Sequence, residues 1–522
     1  NGMAAQNRLS TLFADTKRLI ILLLIISAGI AIRAYCFEGF WGTDDGEYAR
    51  LANAMTNGGF SAFVQENYIR HFYAPAHLPY RMGLVFPLSV IFRFFGTNEI
   101  ALVLYPLLLS VLGIVIAFIS GRLLFNVNAG LITAAIWAVL PVDVRNATSF
   151  LPDIIASFYA SLGVIAILFI INAGIKGNAP RFLGGLIGGL LFGISWLSKE
   201  SIFYLIPFCA FLIISTARKD FKGALPLWAG VAIGSAGVLF TEMFVYYGMK
   251  GDFMLRMHEN ERSFAQTKSY LFYEGSRFGW PVGASHAKAL IKRLFLEGPN
   301  KIFLNESFLF LPFFGAIAAA HAFYRKDRSF MAPAVWMFTL AFMYNFASCS
   351  FSTYTPLVLS ERYLHPIIFP AAVLTGGFIA RLIAAKKEGE SSGASERFFW
   401  GLVIAFMLIS ISFHSIFREI KNMSMLRPVY EVRKLSKLIK PTDRIYTDPL
   451  SMKALEFYWR YPRAMNLINY DGMKTEEIEP DSFVLADRFR LDWLKINVSM
   501  WLTKDYGYHE PEFFSNPPKS WK

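Results

Sequence analysis

The sequence predicts an all-α polytopic membrane protein carrying a small C-terminal α/β soluble domain. Three observations lead there. Apolar stretches of roughly 14 to 24 residues recur from residue 19 to residue 417, most of them long enough to cross a bilayer as helix. Of the 522 residues 55% are hydrophobic and only 17% charged, whereas about a quarter of a soluble chain is charged. Beyond residue 426 short helix-like and strand-like segments alternate instead. The same composition excludes disorder, coiled coil, collagen and a disulfide scaffold.

Asn1-Gly2 ahead of Met3 reads as an added remnant before a native start. The first apolar run, 19–32, follows Lys17 and Arg18. No small-residue cleavage site follows it, so it reads as a retained anchor rather than a signal peptide. Further spans are expected at 98–120, 129–147, 152–173, 182–197, 200–216, 225–248, 302–324, 330–347, 362–380 and 398–417, about 11 helices in all. The stretch 82–95 is short and carries Pro87 and Arg93, so it is expected to lie in the interface as a juxtamembrane helix.

Loop charges support that choice. With 82–95 not crossing, the inner segments hold 16 Lys or Arg in 64 residues, whereas 37–97 holds four in 61. A crossing at 82–95 would turn every later basic loop outward. The net charge of +13 is therefore topological, and no nucleic-acid partner is expected. The N-terminus is expected to be cytoplasmic in a multi-pass inner (plasma) membrane protein. Residues 1–425 form the membrane domain, with outer loops 37–97 and 249–301. Residues 426–522 form the α/β domain, periplasmic or extracellular. Cys36, Cys209 and Cys349 share no metal-ligand spacing and read as buried small hydrophobes.

Chemistry concentrates just after the first span, in Trp41-Gly42-Thr43-Asp44-Asp45-Gly46-Glu47-Tyr48. Three carboxylates in four residues beside a membrane need pairing, solvation or use. A capping box built on Thr43 or Asp44 explains part of the cluster, and capping is compatible with catalysis. A second outer acid, Asp153, follows Pro152 and is expected near a helix N-terminus, where the helix dipole favours an anion. Asp143 is a weaker candidate in the same loop.

These residues resemble a family. Asp44-Asp45-x-x-Tyr48 is similar to the first outer-loop motif, commonly Asp-Glu-x-x-Tyr, of the polyprenyl-phosphate-sugar-dependent glycosyltransferases of the C fold. That family includes the protein O-mannosyltransferases (glycosyltransferase family 39) and the bacterial lipid A aminoarabinose transferase. Arg81 with Phe86-Pro87-Leu88, Gly121-Arg122-Leu123-Leu124-Phe125, Pro152-Asp153, Trp196-Leu197-Ser198-Lys199-Glu200 and Glu361-Arg362-Tyr363-Leu364-His365-Pro366 resemble its later motifs in the same order. The resemblance covers about residues 35 to 375.

The resemblance implies a C-fold enzyme that moves a sugar from a polyprenyl-phosphate donor to a hydroxyl of a lipid, protein or envelope glycan. A phosphate leaving group needs no protonation, so the site requires a base and cations. Asp44 is expected as the base in an inverting displacement, with Asp45 and Asp153 as further catalytic acids. Arg81, Arg362, Lys199 and Arg262 are the expected phosphate ligands, although interfacial snorkelling would also explain them. Tyr48, Tyr363 and Glu47 are expected to contact substrate.

The second outer loop interleaves Tyr270, Phe272, Tyr273, Arg277, Phe278 and Trp280 ahead of an amphipathic stretch 286–297. It reads either as a cover for a lipid-linked donor or as an interfacial aromatic belt. His71 and His77 with Glu47 could bind a divalent metal, yet they lack the spacing of metal ligands and are expected to be solvated loop histidines, so no cofactor is assigned. The alternative function is a membrane transporter or a flippase for lipid-linked sugars. That reading expects inverted repeats, broken helices and charges near the centres of spans.

Overall fold

A computed structural model describes residues 16–42, 44–69, 81–261, 290–348, 356–357, 359–384, 401, 403–404, 407–416, 432–447, 449–462, 465–469 and 483–485. The chain divides into two compact units: residues 1–39 with 47–423, and residues 40–46 with 424–522.

The first unit is helical. In order it contains α1 (Thr16–Tyr35), most of α2 (Asp44–Ile69), α3 (Met82–Phe95), α4 (Glu99–Leu124), α5 (Val127–Ala138), α6 (Pro141–Ala147), α7 (Pro152–Asn172) and α8 (Asn178–Ser198). A 3₁₀ turn (Glu200–Leu205) leads into α9 (Ile206–Ala217) and α10 (Phe221–Lys250). The unit continues with α11 (Leu311–Tyr324), α12 (Met331–Phe346), α13 (His365–Ala384) and α14 (Met407–Ile416). Among the described residues seven helices are long and apolar enough to cross a membrane, or up to eight if a bent pair is one span. The chain is a multi-pass membrane protein.

Local chemistry sets the boundaries. Asn98, Asn126 and Asp220 accept hydrogen bonds from the backbone N–H groups of Ala101, Ala129 and Gly223, capping α4, α5 and α10. The expected span 129–147 is broken: α5 and α6 meet at 58° where Pro141 interrupts the backbone ladder. The expected span 302–324 is regular only from Leu311. Ahead of it, Asn305 caps a 3₁₀ turn, and Leu309 and Phe310 take left-handed conformations, each with φ 53°. The stretch 82–95 is a helix of 14 residues, shorter than a spanning helix needs. The helix α2 breaks at Gly59, whose φ of 68° suits glycine.

Helices α8 and α10 pack through glycines. A methyl group at Gly185 or Gly189 would come within 2.0 Å of Leu227 O or 2.2 Å of Val231 O, and one at Gly230 within 2.2 Å of Phe182 O. Backbones this close are how small residues at four-residue spacing join membrane helices.

The second unit contains a three-stranded parallel sheet of order β2-β1-β3, formed by β1 (Ile445–Thr447), β2 (Leu467–Asn469) and β3 (Phe483–Leu485). Ile445 pairs with Leu467 on one side and with Phe483 on the other. A helix, α15 (Pro449–Tyr458), connects β1 to β2, as parallel strands require. Of the expected helix 428–440, regular helix is confined to 432–435 among the described residues. The segment 40–46 packs into this unit: the Phe40 ring stacks on Phe457 at 4.3 Å, and Tyr461 Oη donates to Gly46 O at 3.4 Å.

Candidate functional site

The first unit gathers one group of charged side chains at the junction of α8 and the 3₁₀ turn. Lys199 closes α8 with extended backbone (φ −158°, ψ 142°), so Lys199 and Glu200 address different partners. Lys199 pairs with Asp153, which is 2% exposed at the second position of α7, directly after Pro152. The Lys199 ammonium also lies 3.9 Å from the centre of the Tyr363 ring. Arg362 stacks on the same ring at 4.8 Å and donates to Tyr363 Oη at 2.9 Å. Asp153 Oδ2 is buried without a hydrogen-bond partner, leaving an acceptor oxygen on the carboxylate that pairs with Lys199.

Glu200 turns to a second group. Arg81 donates to Tyr48 Oη at 2.6 Å and to Glu200 Oε2 at 3.3 Å. Glu200 Oε1 accepts from Arg256, whose guanidinium also reaches Glu242 Oε1 at 2.7 Å and Trp196 O at 2.6 Å. Trp196 Nε1 and Tyr246 Oη both donate to Glu242, at 2.5 Å and 2.9 Å. Burial lowers the Arg256 pKa, but Glu200 and Glu242 outweigh it and hold the guanidinium above its ordinary value.

Glu242 also lines an open apolar groove of about 860 Å³ between α2, α3, α8 and α10, with Met55, Phe60, Phe86, Leu190 and Val238. Arg93 stands exposed on its wall.

The expected site residues therefore fall into separate sets. Asp153, Lys199, Arg362 and Tyr363 come together, and so do Arg81 and Tyr48. Asp44 and Asp45 belong to segment 40–46 of the second unit. Asp45 is buried, and its Oδ2 accepts the Trp41 N–H at 2.6 Å, so at least part of this carboxylate fixes its own turn. Asp44 is the first residue of α2 and is half-buried. Glu47 forms an ion pair with Arg50 at 2.9 Å, three residues along the same helix. Arg262, His71, His77 and the aromatic run 270–280 lie outside the described residues. Among the described residues no three His, Cys, Asp or Glu side chains group as metal ligands.

Sequence reasoning missed Glu242 and Arg256, quoted Glu200 only as part of a motif, and ranked Asp143 low. Asp143 is fully buried, bonded by Arg33 at 2.5 Å, by Ser110, and by His365 Nε2 at 3.1 Å. The available signal was a charge inside or beside an apolar run, as at Arg33 and Glu242. A buried ion pair next to the broken α5–α6 element is one feature that the transporter alternative expects. The cavity beside it holds about 10 Å³, enough for about one water and far too little for a sugar.

Comparison with known proteins agrees with this architecture. The family described as dolichyl-phosphate-mannose-protein mannosyltransferase matches residues 83–270. The apo oligosaccharyltransferase of Archaeoglobus fulgidus is similar in structure, with a TM-score of 0.56 at 13% identity over 92% of this chain. This chain spans 66% of that protein's length. ArnT from Cupriavidus metallidurans is similar in its apo state, with a TM-score of 0.53, 14% identity and 84% of each chain covered. The same protein bound to undecaprenyl phosphate gives a TM-score of 0.53 at 12% identity, again over 84% of each chain. No curated protein matches by sequence. The chain has the C fold of these membrane glycosyltransferases.

Proposed function

We propose that the chain is an inverting glycosyltransferase that moves a sugar from a polyprenyl phosphate to a hydroxyl of a lipid, a protein or an envelope glycan. The observation that carries this reading is the Asp153–Lys199–Tyr363–Arg362 cluster, joined through consecutive residues 199 and 200 to the Arg81–Glu200 pair. It sets three cations and a buried acid at the ends of apolar helices, in the fold of proteins that include one solved with undecaprenyl phosphate. The reaction is placed at the outer face of the inner (plasma) membrane. That placement rests on the basic inner loops, with the N-terminus cytoplasmic and residues 426–522 periplasmic or extracellular.

In this reading the acceptor oxygen attacks the anomeric carbon as its proton passes to a carboxylate. The bond from carbon to the phosphate oxygen breaks, and its electron pair leaves with the phosphate. Asp44 is the proposed base, because Asp45 already spends an oxygen on the Trp41 N–H. Arg81, Lys199 and Arg362 answer the second negative charge that the leaving phosphate gains. Arg262 is a further proposed phosphate ligand, Tyr48 holds Arg81, and Asp153 offers its unpartnered oxygen to the acceptor.

The test supplies the purified full chain, in lipid, with polyprenyl-phosphate sugars and envelope acceptors. Transfer with an inverted anomeric configuration is expected, and Asp44→Asn should slow it about 100- to 10,000-fold. Wild-type turnover in that variant moves the base to Asp45 or Asp153. If no transfer occurs, and a strain lacking the protein has unchanged envelope glycans by mass spectrometry, the transferase reading is wrong.

A further inference from the structure

We infer that Glu200 is a positioning residue that aims Arg81 at the phosphate of the donor; the inference rests on the transferase reading above. Arg81 stands just before α3 with non-helical backbone (φ −93°, ψ 80°), so its own helix does not fix its side chain. Two elements fix it instead. One terminal nitrogen reaches Tyr48 Oη at 2.6 Å, and the other reaches Glu200 Oε2 at 3.3 Å. Tyr48 is fully buried and meets the Phe150 ring edge-on at 6.2 Å, so its hydroxyl is a rigid mark.

Glu200 is equally constrained. Its second oxygen lies 2.9 Å from Arg256 Nε and 2.8 Å from Arg256 NH2. Arg256 in turn has Glu242, the Trp196 carbonyl and the Trp196 ring at 4.5 Å. Those contacts already tie Arg256 to α8 and α10, so the second carboxylate is not needed for that join. What Glu200 adds is a fixed acceptor for Arg81. Among these four side chains two arginines and two glutamates balance in formal charge.

The role needs a carboxylate. Glutamine has one acceptor oxygen, and its NH2 would face one of the two guanidinium groups. A guanidinium grips phosphate through a planar fork, so its orientation decides how well two oxygens are bound at once.

The test is binding of undecaprenyl phosphate, a long-chain isoprenoid monophosphate, to the purified full chain. The two readings of Glu200 differ in sign. A bystander carboxylate beside a phosphate repels it, so its removal tightens binding. An orienting carboxylate aims the cation, so Glu200→Gln should weaken binding about tenfold. In an Arg81→Ala background the same substitution should change affinity less than about twofold, because its effect passes through Arg81. Glu200→Asp keeps the charge on a shorter arm and should weaken binding by an intermediate factor. Tighter or unchanged binding for Glu200→Gln overturns the inference, and so does equal weakening in both backgrounds. If Glu200→Gln does not fold, unchanged affinity in Glu200→Asp overturns it. Absence of saturable binding by the wild-type chain overturns the transferase reading as well.

Discussion

Replacing Arg33 with methionine should destabilise the first unit more than any surface change. The Arg33 guanidinium is fully buried and donates from all three nitrogens. Nε reaches Ser110 Oγ at 2.6 Å, one terminal nitrogen reaches Gly29 O and Ala138 O, and the other reaches Asp143 at 2.5 Å and Trp137 O at 3.4 Å. Methionine fills much of the volume but leaves Asp143 as a buried anion with only Ser110 and His365. Breaking a buried pair from one side costs about 3 to 5 kcal/mol, because the remaining charge stays desolvated. The double variant Arg33→Met/Asp143→Asn removes that stranded charge. It should recover about half of the loss, the rest being carbonyls left without donors. The assay is the half-life of the purified chain in detergent at a fixed temperature, followed by intrinsic fluorescence. At about 1.4 kcal/mol per factor of ten, the single variant should unfold about 100- to 4,000-fold faster if the cluster is lost in the transition state. A double variant less stable than the single one would refute the reasoning. It would mean that shape rather than charge holds Arg33.

Gly189→Leu should prise α8 from α10, since even a methyl group there approaches Val231 O to 2.2 Å; a lower unfolding temperature, together with weaker undecaprenyl phosphate binding, would register the shift of the Lys199–Glu200 turn. Burial and Glu38, against an opposing effect of Arg33, push the Cys36 thiol up to about 11. With the other two cysteines replaced by alanine, maleimide labelling at pH 8 should therefore be about 100-fold slower than in the unfolded chain. Because the folded value lies above the unfolded one, Cys36 contributes stability that is full below about pH 9 and lost as pH rises through 11. A reporter fused after Lys387 should read cytoplasmic and one at Lys522 external; an external signal at Lys387 would mean that the stretch 82–95 crosses the membrane.

The apolar runs were legible because hydropathy alone decides which segments enter a bilayer, and the ends of α4, α7, α8 and α10 lie close to the expected ones. Breaks inside runs were not. Pro141 and the left-handed pair Leu309–Phe310 act on backbone geometry, which a hydropathy window averages away. The same limit applies to the site. Asp153 stood out as an acid after Pro152 at the start of a run, whereas Lys199, Arg81, Tyr48, Arg362 and Tyr363 were marked by the resemblance to the C-fold motifs. Glu242 and Arg256 did not, because they pair with each other across 14 residues and Arg256 pairs with Glu200 across 56, and only packing reveals that each neutralises a neighbour. Asp45 shows the converse: a motif carboxylate whose visible bond is to its own turn.

The placement of residues 40–46 with the second unit affects how this chain can be shortened, split or recombined. The polypeptide leaves the first unit after Gly39, contributes seven residues to the second, and returns at Glu47, long before the main passage at Ser424. The chain thus crosses between the two units three times. A fragment ending at residue 423 would carry Asp44 and Asp45 but lack Phe457 and Tyr461, against which their turn packs. An exchanged C-terminal unit from another protein would have to supply an equivalent seat for Phe40. A change in the tail at Phe457 or Tyr461 therefore reaches the turn that carries the proposed base.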